Sequence, residues 1–205
     1  SVSAFLLNRS SDLDLEYEHE VDDDFLVASY FRRHALENPD AIAVDDGVSQ
    51  ISYGELEKSS NSIANDLFEN YDISLNSHVG LILPRNYHFP ELVLALNKLG
   101  AVFIPISPIS PVKRIEHMLE ISEAECIITD KDIAGKFDFD IDVICIEDLN
   151  SSDDVDVDIV ATGENLFSIM FTSGTTGLPK GVKVSNHQLG GLFESFKNIF
   201  SFSHG

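Results

Sequence analysis

From Phe25 onward, apolar and polar positions alternate between helical and strand-like periods. Phe25, Leu26, Ser29, Tyr30, Arg33 and Leu36 recur at helical spacing and predict a helix that Pro39 stops. Ala41–Val44 and Val48–Ile51 flank Asp45-Asp46-Gly47, the pattern of a β-hairpin. Ser52 and Glu55 form a capping-box spacing ahead of a long amphipathic run to about Asn70. His78–Leu83 reads as a buried strand ended by Pro84, and Glu91–Leu99 as a helix with Gly100 as its C′ glycine. Ala101–Ile104 is the next strand, and Pro105, Pro108 and Pro111 stiffen the loop after it. Ser110-Pro111 opens another helix with proline at its first position. Cys126–Thr129 and Val143–Ile146 predict two short strands joined by a marginal helix. Leu166–Phe171 and Val182–Val184 predict two more strands, after which Asn186 or His187 caps a helix to about Phe200. This order predicts an α/β fold, with a largely parallel sheet flanked by helices, right-handed crossovers and a β-hairpin near the start. No repeat of solenoid period interrupts it.

Composition narrows the class. A chain of 205 residues with 43% apolar content can build a core. No apolar run is long enough to span a membrane. The start, Ser1 to Leu7, lacks a basic stretch and an initiator methionine; a fragment or processed chain is expected, and no signal peptide. With 35 acidic against 13 basic side chains the net charge is −22, which argues against nucleic acid or an anionic membrane as partner. Cys126 and Cys145 sit inside strand-like runs, so buried reduced thiols and a cytoplasmic protein are expected. Residues 1–24 are acidic with little to bury and read as a linker ahead of a domain over 25–205. The acidic run from Glu147 to Asp158 lacks calcium-loop spacing and reads as a solvated loop, so no metal site is assigned.

The chemistry concentrates between the last two strands, in Thr172-Ser173-Gly174-Thr175-Thr176-Gly177-Leu178-Pro179-Lys180-Gly181. Glycines there allow main-chain N–H groups to converge, and four hydroxyls and one lysine accompany them, as a phosphate chain requires. A Walker loop is excluded: counted from Gly174, its second glycine is Pro179, and Gly181 follows the lysine where Ser or Thr is needed.

These ten residues resemble the signature loop of the adenylate-forming, or AMP-binding, enzymes, Thr-Ser-Gly-(Ser/Thr)-Thr-Gly-x-Pro-Lys-Gly. Ile51–Leu56 resembles the first core motif of amino-acid adenylation domains, and Leu96–Ser107 the second, with Ser107 where aspartate is usual. The subclass most resembled is the adenylation domain of nonribosomal peptide synthetases, of which this is similar to the N-terminal part. Leu6-Leu7-Asn8 is similar to the segment that follows a condensation domain.

The resemblance implies an ATP-dependent enzyme that activates a carboxylate, an amino acid in this subclass, as acyl-AMP. Mg²⁺ would accompany ATP, and the acyl group would pass to the phosphopantetheine thiol of a carrier domain. Thr172, Ser173, Gly174, Thr175, Thr176, Gly177, Lys180 and Gly181 would hold the ATP phosphates, and Asn186 and His187 would lie near the substrate. The family's substrate-pocket, adenine, ribose and catalytic-lysine motifs lie beyond the signature loop and do not occur here. No catalytic residue is therefore assigned, and residues 1–205 alone are expected to be inactive, with the remainder of the domain as partner. A piece of an acyl- or aryl-CoA ligase, or a truncated nucleotide- or partner-binding module, stays open as an alternative.

Overall fold

The structure, a computed structural model, describes residues 25–136, 138, 140–149, 155–173 and 179–199. The acidic linker over 1–24 and the segment similar to a condensation-domain junction lie outside the described residues. Helix α1 (Val27–Glu37) leads into the hairpin β1 (Ile42–Asp45) and β2 (Gln50–Ser52). Its turn is held by Asp46, whose carboxylate accepts from the amides of Val48 and Ser49. Helix α2 (Tyr53–Tyr71) starts at the expected capping box: Ser52 Oγ accepts from Glu55 N, and Glu55 Oε2 accepts from Ser52 N.

Five strands follow with helices between them: β3 (His78–Ile82), α3 (His88–Lys98), β4 (Val102–Ile106), α4 (Val112–Ile121), β5 (Cys126–Thr129), α5 (Lys131–Ala134), β6 (Asp142–Cys145) and β7 (Leu166–Ser173). They form a sheet ordered β6-β5-β3-β4-β7, every neighbour pair parallel. β8 (Pro179–Ser185) closes the edge antiparallel to β7, and α6 (Asn186–Ile199) follows it.

Strand alternation divides the core into two layers. Val79, Leu81, Phe103, Cys126 and Ile128 pack with Ile63, Ala64 and Leu67 of α2 and Leu92, Ala95 and Leu96 of α3. Ile82, Val102, Ile104 and Ile127 pack with Ile115, Met118 and Leu119 of α4. Phe167 joins the first layer and Ile169 the second, a change of phase next to the register shift between Leu166 and Ser168. Gly100 ends α3 at φ +69°, a conformation that strains a residue bearing a Cβ, and a Cβ there would also press on Leu75 Cδ1 at 2.6 Å.

Several boundaries differ from the sequence reading. Pro111 is the N-cap of α4, extended at ψ 139°, and not its first helical residue. α3 begins three residues early, at His88, with Pro90 inside its first turn, where no intrahelical N–H is needed. β8 runs from Pro179, not Val182, because cross-strand pairing with β7 extends through Lys180 and Gly181 despite their weak strand propensity. Both cysteines are free; Cys126 is buried as expected, whereas Cys145 is half-buried. Burial pushes the Cys126 thiol up to about 12.

The acidic segment is not simply solvated. Asp156 Oδ1 accepts from Asn61 Nδ2, while the carbonyls of Val155 and Val157 accept from Asn65 Nδ2 and Arg32 Nη2. It is strapped across α1 and α2.

Candidate functional site: a hydroxyl- and lysine-bearing hairpin

β7 and β8 pair from Leu166–Ser185 to Ser173–Pro179. Gly174, Thr175, Thr176 and Gly177 fall between the two strands in sequence, outside the described residues. The two stems bring the flanking site residues together. Thr172 stands opposite Lys180, both exposed, and Phe171 opposite Gly181. A Cβ at Gly181 would lie 3.1 Å from Ile169 Cγ2 and 3.5 Å from the Phe171 ring, so a side chain there would press the hairpin's own face.

Direction places this loop. β7 runs parallel to β4, which runs parallel to β3, so the loop leaves the carboxyl end of the sheet. The turn after β4, with exposed Ser107, and the turn after β3 leave at the same end. The connection after β3 packs on one face of the sheet through α3, and that after β4 on the other face through α4. Strand ends where connections diverge in this way form the usual ligand crevice of an open α/β sheet. A hydroxyl and an ammonium in register at that crevice suit a phosphate chain. Among the described residues no group of three or more His, Cys, Asp or Glu side chains is placed to hold a metal ion.

Asn186 and His187 lie at the other end of the hairpin. Asn186 is fully buried, its amide bonded to Asn97, Asn165 and Thr162. His187 is half-buried, with its backbone N–H donating to Gly163 O. Neither caps α6: Ser185 does, its Oγ accepting from Gln188 N while Gln188 Oε1 accepts from Ser185 N. The Ser-x-x-Gln spacing of a second capping box was present in the sequence.

Sequence reasoning also missed a buried ionic cluster. Lys98 is fully buried at the end of α3. Its ammonium donates to Glu57 O, Ser60 Oγ and Asn61 Oδ1 and lies 3.0 Å from Glu57 Oε1, which also accepts from Arg32 Nε at 2.9 Å. Burial draws the Lys98 pKa down to about 8, against the pull of Glu57. The signal was a charge next to Asn97 inside the apolar run Leu92–Leu99.

The AMP-binding enzyme family model matches residues 31–203. The chain belongs to this family. Among AMP-binding relatives it is 31% identical to gramicidin S synthase 2 of Brevibacillus brevis over 184 residues, which is 88% of this chain and 4% of that protein. It is 32% identical to surfactin synthase subunit 1 of Bacillus subtilis (strain 168) over 188 residues, 88% of this chain and 5% of the relative. The chain therefore spans about a twentieth of the curated relatives it matches. Among solved structures it resembles the N-terminal subdomain of Klebsiella oxytoca NpsA in complex with 3-hydroxybenzoyl-AMSN. That match has TM-score 0.72 and 25% identity over 82% of this chain and 42% of the other. It shares its fold with the AMPPNP-bound nonribosomal peptide synthetase FmoA3, at TM-score 0.81 and 22% identity over 89% of this chain and 19% of that one. These relatives are adenylate-forming ligases and peptide synthetases, and the chain corresponds to an N-terminal portion of their AMP-binding domain.

Proposed function

We propose that the chain supplies the ATP-phosphate site of an adenylation domain that activates an amino acid for a carrier-bound thiol. The pairing of exposed Thr172 with exposed Lys180 at the carboxyl end of the sheet carries this reading. In the reaction a substrate carboxylate oxygen forms a bond to the α-phosphorus of ATP. The bond from that phosphorus to the bridging oxygen breaks, and pyrophosphate leaves with the electron pair. Charge grows on the departing oxygens. Hydroxyls of Thr172, Ser173, Thr175 and Thr176, main-chain amides of Gly174 and Gly177, and the Lys180 ammonium would meet it there. Gly181 keeps the exit strand flat against Ile169 and Phe171. Mg²⁺ would enter on the phosphates and add positive charge. His187 would lie on the substrate side of α6. The acyl-AMP then yields its acyl group to a phosphopantetheine thiol, with AMP leaving.

Residues 25–205 would be the N-terminal part of that domain, 1–24 the acidic linker before it, and carrier and condensation domains its neighbours in a cytoplasmic synthetase. The curated relatives are peptide synthases, which favours an amino acid over a fatty acid as substrate. The chain matches 42% of the NpsA subdomain, which supports the expectation that residues 1–205 do not complete the reaction unaided.

Pyrophosphate–ATP exchange with a panel of amino acids tests the proposal. The intact polypeptide carrying this chain should exchange with one or a few amino acids, and residues 1–205 should not. Lys180→Ala in the intact polypeptide should raise the KM for ATP at least about tenfold, the loss of one charge-assisted contact of roughly 1.5–3 kcal/mol. Exchange by residues 1–205 alone, or an unchanged KM in Lys180→Ala, would sink it.

A further inference from the structure

The open end of the β7–β8 hairpin is tied by two buried amides. Asn186, the first residue after β8, is completely enclosed, and Asn97 of α3 is 2% exposed. Asn186 Nδ2 donates to Asn165 O at 3.2 Å and to Thr162 O at 3.4 Å, in the turn just before β7. Asn186 N donates to Asn165 O at 3.1 Å, and His187 N to Gly163 O at 2.9 Å. The turn itself is closed by Asn165 Oδ1, which accepts from Thr162 N and Oγ1. Asn186 Oδ1 accepts from Asn97 Nδ2 at 3.0 Å, and Asn97 Oδ1 accepts from Ala28 N at 2.8 Å in α1. One chain of hydrogen bonds thus joins both strands of the hairpin at their root to α3 and α1.

We infer that Asn97 and Asn186 are positioning residues for the phosphate-binding loop, an inference that rests on the proposed reading of that loop. Two apolar side chains would fill the same space, but they would not fix an angle. A buried amide pair whose side-chain nitrogens and oxygens all have partners favours one geometry, and departing from it strands polar groups. The root is also where the hairpin joins the sheet, since β4 and β7 meet in register at Phe103 and Ser168. The outer end of the paired stretch, Ser173 opposite Pro179, lies seven residues beyond Leu166, about 24 Å at ~3.4 Å per residue. A tilt of about 5° at the root moves the tip by ~2 Å, and misplacement of ~1 Å can cost a reaction ~100-fold. The amides act at a distance, by setting the direction of a stiff lever.

The intact polypeptide, assayed by pyrophosphate–ATP exchange, separates positioning from packing. Asn186→Ala and Asn97→Leu should each raise the KM for ATP and for pyrophosphate about fivefold or more, with the KM for the amino acid within about twofold. Amide hydrogen exchange should quicken over 162–173 and 179–190 and stay unchanged in β5 and β6. Asn97→Leu preserves the bonds of Asn186 to the turn and fills the space, so it serves if Asn186→Ala does not fold. A purely structural role predicts a lower maximal rate at unchanged KM for ATP, or faster exchange throughout the sheet, and either overturns the inference. Lys180→Ala runs beside them. If it leaves the KM for ATP unmoved, the phosphate-loop reading fails and takes the inference with it. If it raises that KM while the asparagine variants do not, the inference alone fails.

Discussion

Lys98 shows how much one buried charge can organise. Its ammonium gathers oxygens of Glu57, Ser60 and Asn61, and Arg32 shares Glu57 with it. Removing one member of a buried pair usually costs about 3–5 kcal/mol, because the partner keeps its desolvation cost. Here Arg32 stays beside Glu57, so Lys98→Met should destabilise by about 3 kcal/mol, the lower end of that range. Urea unfolding should show a lower midpoint at unchanged slope. A variant as stable as the parent would mean that the cluster serves specificity, not stability. The same residue marks the limit of sequence reading. Asn97 and Lys98 were visible as polar intruders in an apolar helix, but their partners come from α1, α2 and α6, up to 89 residues away. Long-range pairing of that kind leaves no local period.

At the scale of elements the outcome was better, because each helix and most strands carry their own signal. The capping box at Ser52, the C′ glycine at Gly100 and the proline stop after α1 stand where local chemistry demands. What misled was β8, where Pro179, Lys180 and Gly181 look like loop but pair with β7. The signature loop was legible as a motif; the buried amides at the root of its hairpin were not. Helix packing brings a further expectation. α6 approaches the start of α1 through Gly190, where a Cβ would lie 2.9 Å from both Cβ and Cγ of Phe25. Alanine in a helix interior is favoured over glycine by ~1 kcal/mol. Overpacking against a residue so close to its own backbone costs about 1–3 kcal/mol. The clash wins, and Gly190→Ala should lower stability by about 1 kcal/mol, measurable by thermal unfolding. A stabilised variant would show that Phe25 swings aside freely.

For the whole molecule, burial of opposite kinds of titrating group shapes the alkaline stability profile. Lys98 is held near 8 in the folded chain against 10.5 when free. Between those values the unfolded chain carries the extra proton, so stability rises with pH, by at most ~1.4 kcal/mol per pH unit. Cys126 is held near 12 against 9.0, which reverses the sign: the folded chain keeps the proton, and stability falls as pH climbs from 9.0. Cys145 and Tyr71, both raised first by burial, add to the fall. On the acid side, the hydrogen bond to Glu91 raises His88, so its contribution is full below 6.5 and is lost as pH rises through its folded value. Urea midpoints under reducing conditions should therefore rise from about pH 8 to 9, level off while lysine and thiol oppose each other, and fall above about 10.5. Cys126→Ala should turn the level stretch into a continued rise, whatever its cost in absolute stability, because only the slope reports linkage. A parent profile flat from pH 8 to 9 would mean that Lys98 keeps its proton there, with Glu57 and the neighbouring oxygens outweighing its burial.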